Sequence, residues 1–85
     1  MARAMRINER VIMDKLQAIN KCKELLAAGI YARPMRQYLT DRWDILILHA
    51  NNTVSVPAGL TLIDWVFYRW EGMYKTQDYP IVGVL

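Results

Sequence analysis

The segment Trp43-Asp-Ile-Leu-Ile-Leu-His-Ala50 constrains the fold more than any other stretch of the chain. It is dense in β-formers, and the Asn51-Asn52 that follows suits the positive φ angles of a tight two-residue turn. A second strand then runs Thr53-Val-Ser-Val56 and is broken by Pro57-Ala-Gly59. Pairing Ala50 with Thr53 sets His49 against Val54, Leu48 against Ser55 and Ile47 against Val56. One face of this hairpin then carries Ile45, Ile47, His49, Val54 and Val56, and reads as core. The other carries Leu46, Leu48, Ala50, Thr53 and Ser55. That face is half apolar, so it also needs a cover, and a hairpin that must be covered twice belongs inside a domain rather than on its surface.

Local patterns around the hairpin suggest what covers it. A long first helix is expected from an N-cap at Asn8, with Glu9 favourable to the helix dipole, to a stop at Gly29. Ile12, Leu16, Ile19 and Leu26 recur at helical spacing, and Val11, Ala18, Cys22 and Leu25 widen the stripe. Residues 30–42 predict a shorter helix with Pro34 in its first turn and Met35, Tyr38 and Leu39 on one face. Thr61 and Asp64 resemble a capping box opening a third helix that runs to about Lys75. Asp64, Tyr68, Glu71 and Lys75 form its polar stripe, while Leu62, Ile63, Val66, Phe67, Trp70, Met73 and Tyr74 cover most of the rest. A helix so broadly apolar is either central or covered by a partner. The tail from Tyr79 to Leu85 reads as an edge strand with Pro80 near its start. The expected fold is a small α+β single domain over residues 1–85, in the order α-α-β-β-α-β, with an antiparallel sheet packed against helices.

Composition narrows the function classes. In 85 residues there is one cysteine, Cys22, and one histidine, His49. Internal disulfides and Cys- or His-based metal sites are therefore not expected, and a lone thiol suits a reducing cytoplasm. No stretch approaches the apolar length of a membrane span. The N-terminal arginines lead into Glu9 and Asp14 rather than into a signal-peptide apolar region. The four glycines are isolated, which excludes a phosphate-cradling loop and a dinucleotide fingerprint. Cys22 lies beside an apolar stripe and His49 has no carboxylate expected on its own strand face, so both read as structural. The chain is expected to be no enzyme and to need no cofactor or metal.

Two binding classes remain. Nine bases against four acids leave +5 in residues 1–42, and two bases against four acids leave −2 in residues 43–85. Three tryptophans, five tyrosines and five methionines exceed what so small a core readily encloses. The primary expectation is a small non-catalytic cytoplasmic protein that binds another protein and modulates or inhibits it. Its aromatic surface would lie on the last helix at Trp65, Tyr68 and Arg69, with Leu46 and Leu48 on the second hairpin face. The basic front half would steer an acidic target, and a homodimer is compatible with this. Compact inhibitors and adaptors, many of them phage-encoded, have this size. The alternative is a nucleic-acid binder that places Arg3, Arg6, Arg10, Arg33 and Arg36 on phosphates. Helix, glycine turn, short basic helix and hairpin loosely resemble a winged helix-turn-helix layout, with two helices ahead of the wing where that layout has three.

Overall fold

A computed structural model describes residues 13–85. Asn8 and Glu9, the expected start of the first helix, lie outside the described residues. Helix α1 runs Lys15–Ala27, and Asp14 caps it. The Asp14 carboxylate accepts from the Gln17 amide at 2.8 Å, and the Gln17 side chain accepts from the Asp14 amide at 2.9 Å. This reciprocal pair satisfies two donors at the helix start. The expected stop at Gly29 is present as a Schellman turn. Gly29 has φ +85°, its amide donates to the Leu26 carbonyl, and the Ile30 amide donates to the Leu25 carbonyl. Ala18 and Cys22 are buried on the sheet side, whereas Leu16 and Leu26 of the expected stripe face outward.

Six strands follow: β1 Ala32–Gln37, β2 Trp43–Leu48, β3 Val54–Val56, β4 Trp65–Arg69, β5 Gly72–Lys75 and β6 Ile81–Val84. A 3-10 turn at Thr76–Asp78 separates the last two. Among the described residues one helix is thus followed by strands, and two expected helices are corrected. The region 30–42 contains β1 because Ala32 and Met35 bury on opposite faces of the sheet, which mimics helical spacing. Pro34 is tolerated because β4 pairs only with Met35–Gln37 and leaves Pro34 beyond the end of that ladder. The region 61–75 contains the β4–β5 hairpin. Trp65 and Phe67 bury on one face, Tyr68 packs on the other, and Asp64 adopts φ +63° instead of entering a helix.

The β2–β3 hairpin forms one residue out of the expected register. Leu48 pairs with Val54 and Ile47 with Ser55, because the loop holds three residues and closes on Asn52 at φ +63°. One residue of slip exchanges the faces. Leu46, Leu48, Val54 and Val56 now share the inner face, while Ile45 and Ile47 lie under α1. The expectation that both faces need a cover holds.

The sheet order is β5-β4-β1-β2-β3-β6, with every pairing antiparallel except β3 with β6. The edge strands β5 and β6 are separated by only five residues of chain. The sheet must therefore curl so that its two edges approach each other. The rings of Tyr74 on β5 and Tyr79 just before β6 meet edge-on at 6.2 Å, and both pack on Phe67. Buried Thr76 ties this return to β4 by donating its hydroxyl to the Trp65 carbonyl. The concave side holds Met35, Leu46, Leu48, Val54, Val56, Trp65 and Phe67, with Leu60 and Leu62 packed against them from the loop after β3. The convex side holds Ala32, Trp43 and Ile45 against Ala18 and Cys22 of α1.

Candidate functional site

The structure separates the residues expected to form an interface. Trp65 is 2% exposed, Leu46 0% and Leu48 7%, so all three fill the core rather than a docking surface. The register shift turned Leu46 and Leu48 inward, and the hairpin alternation did the same for Trp65. Tyr68 is half-buried on the convex face and stacks on Trp43 at 5.6 Å. Arg69 lies over the Tyr74 ring and is ion-paired with Glu71 at 3.1 Å.

The basic set also divides. Arg3, Arg6 and Arg10 lie outside the described residues. Arg33 and Arg36 sit three apart on a strand and so point to opposite faces of the sheet. Arg33 lies over the Tyr31 ring. Arg36 lines a cleft of about 680 Å³ at the N-terminal end of α1, floored by Pro34, Trp43 and Tyr68. Lys15 and Arg36 face Asp14 and Asp41 around this cleft, so its wall carries no net charge.

The chemistry-bearing single residues are held in the framework. His49 Nε2 lies 2.8 Å from the Ser55 hydroxyl on the neighbouring strand. Burial pushes the Cys22 thiol up to about 11, against a smaller opposing pull from the Arg33 charge. A thiol in that state is almost wholly protonated at neutral pH and a poor nucleophile. Among the described residues, no group of three or more His, Cys, Asp or Glu side chains could hold a metal ion, and no helix is long and apolar enough to cross a membrane.

The surface with the clearest binding character lies at the chain's last strand. β6 pairs with β3 on one side only, and among the described residues nothing pairs with its other edge. Its side chains are apolar and open: Ile81 is 50% exposed, Val82 61% and Val84 69%. β6 carries no charge, although its register against β3 shifts by one residue, with Val82 as the extra residue on β6; charges and bulges are the usual protection against strand pairing with another chain. Trp70, in the two-residue β4–β5 turn, is 86% exposed. The sequence pattern pointed to β6 as an edge, and it placed Trp70 on a broadly apolar helix, within an aromatic surface of residues 65–74 expected to meet the partner. The signal that could have placed it is the run Trp65-Val-Phe-Tyr followed by Trp70-Glu71-Gly72, which reads equally as a strand and a glycine-containing turn.

Comparison with protein-family models, with curated proteins and with solved structures finds no match for this chain.

Proposed function

We propose that this chain is a non-catalytic protein-binding module that engages another protein and modulates or inhibits it, taking the partner by strand addition at β6. The observation that carries this is the apolar, uncharged edge of β6, which among the described residues has no strand on its outer side. In strand addition the open backbone edge supplies affinity, and the side chains alternating along it supply selectivity. Trp70 adds an exposed aromatic anchor of the kind that dominates interface energetics. A reducing cytoplasm suits the single buried thiol of Cys22.

The test replaces Val82 or Val84 with lysine, which leaves the core untouched and places a charge on the edge. Both variants should melt within a few degrees of the unmodified chain. Both should lose the partner that the unmodified chain retains, first in affinity capture from the source cell and then in reconstitution with that purified partner. Undiminished binding by both variants would refute β6 as the docking edge. Light scattering on the same samples separates a second copy of this chain from a different protein.

A second reading, nucleic-acid binding, has one observation in its favour. If β5 and β6 are one strand interrupted by the 3-10 turn, the connectivity is that of OB-type barrels. In these, three strands form a meander, the fourth returns to the first, and the fifth runs parallel beside the third. Many such barrels bind oligonucleotides, but a fold by itself does not assign a function. Because Arg33 and Arg36 diverge, this reading rests on Arg3, Arg6 and Arg10. It requires affinity for single strands at low salt that falls steeply as salt rises.

A further inference from the structure

The geometry points to a second, independent site: a small pocket at the end of β2 that takes a phosphoryl anion between Arg33 and Arg69. The two residues come from neighbouring strands. Met35 pairs with Phe67 at the end of the β1–β4 ladder, and Arg33 and Arg69 each lie two residues beyond that pair on their strands. Both line one pocket of about 200 Å³, together with Tyr31, His49 and Asn52. Two guanidinium charges on one pocket wall repel, and the Glu71 carboxylate offsets only one of them.

The internal partners of these arginines do not use up their donors. Arg33 spends one N–H on the Ala32 carbonyl at 3.0 Å. Arg69 pairs with Glu71: its Nη2 donates to the carboxylate at 3.5 Å and its Nε lies 3.1 Å from it, while the buried Nε–H has no hydrogen-bond acceptor. A guanidinium carries five donors in a planar fork, so most of the donors in this pocket remain free for a tetrahedral oxyanion. Asn52 at the β2–β3 turn adds a side-chain amide on the same wall.

Size selects the class of ligand. With water occupying about 30 Å³ per molecule in the liquid, the pocket holds roughly six or seven waters. That accommodates one phosphate group but falls short of the 300–1,000 Å³ typical of a site for a drug-sized molecule. The phosphoryl group is therefore the part that is bound. Any organic remainder would extend past the half-exposed ring of Tyr31. None of these residues belongs to β6 or to Trp70, so the site stands or falls apart from the protein-binding reading.

The test is a titration of the full chain with inorganic phosphate, followed by amide NMR. Saturable shifts at Tyr31, His49 and Asn52 are expected. Arg33→Gln and Arg69→Gln should each weaken the binding about tenfold or more, as loss of a charge-assisted contact does. Glu71→Gln should tighten it several-fold, because the competing carboxylate is removed. Arg42→Gln, at the opposite end of β1 beside Gln37, should leave it unchanged. If Arg69→Gln fails to fold, Arg33→Gln and Glu71→Gln still carry the test with opposite signs. A parallel titration with adenosine 5′-monophosphate identifies the source. Tighter binding than phosphate assigns a nucleotide, equal binding assigns free phosphate, and both support the site. Shifts that do not saturate, that survive both arginine substitutions, or that Arg42→Gln abolishes equally would overturn it.

Discussion

Replacing Gly83 with alanine should loosen β6 from β3, and the loss should depend on a single oxygen atom. A Cβ built at Gly83 would lie 2.8 Å from the Ser55 hydroxyl and 3.7 Å from the Ser55 Cβ. The first distance is a clash and the second an ordinary contact. Ser55 cannot simply swing away, because its hydroxyl is engaged by His49 Nε2 at 2.8 Å. Relief therefore costs either that hydrogen bond, worth about 1 kcal/mol, or a shift of β6 on β3. Overpacking of this kind typically costs about 1–3 kcal/mol. For a domain of this size, a loss of about 2 kcal/mol lowers Tm by roughly 10 °C. The backbone at Gly83 is not left-handed, so alanine is otherwise welcome there. Once the hydroxyl is removed by Ser55→Ala, the same Gly83→Ala change should become neutral, or stabilising by up to about 1 kcal/mol through the unfolded chain. The assay is a four-member cycle of urea unfolding, with amide exchange of residues 81–84 as the local readout. A Gly83→Ala penalty of equal size in both backgrounds would refute the argument.

Two further expectations follow from burial. Trp65→Ala should cost about 3–5 kcal/mol, enough to unfold a marginal domain, whereas Trp70→Ala should leave unfolding unchanged within about 0.5 kcal/mol; thermal melts of the two variants decide this. The Cys22 thiol, raised by burial from its ordinary 9.0 to about 11, ionises first in the unfolded chain. Its contribution to stability is therefore complete below pH 9 and is lost as the pH climbs toward 11. The alkaline loss of stability should be shallower in Cys22→Ala than in the unmodified chain. Identical slopes would show that Cys22 plays no part.

Much of the outline was legible because local chemistry decides it. The Gly29 stop is encoded by the one residue type that takes φ +85° without strain. The β2–β3 hairpin is encoded by β-formers around an asparagine turn, and β6 by an apolar run after Pro80. The start of the described helix is also written locally, in the capping box of Asp14 and Gln17. The candidate site was legible only in part. β6 announced itself as an edge, but the exposure of Trp70 depends on a turn that helical periodicity concealed.

The regions that misled share one physical cause: strands covered on both faces. A half-buried strand alternates and a half-buried helix repeats every three to four residues, but a strand buried on both faces loses its period. Ala32 and Met35 bury on opposite faces, and so do Phe67 and Tyr68. Local periodicity cannot tell that pattern from a broadly apolar helix. The decision came from the curl of the sheet, which supplies an inner core on one side while α1 covers the other. The same curl decided which face of the hairpin points inward, since a three-residue loop shifted the register by one and exchanged Leu46 and Leu48 with Ile45 and Ile47. The chain's local chemistry thus set where its elements start and stop, the hairpin and the free edge. The identity of the ambiguous segments, the inner face, and the placing of Arg33 and Arg69 around one pocket were decided only by the tertiary structure, because strand pairings distant in the chain have no signature in the residues beside them.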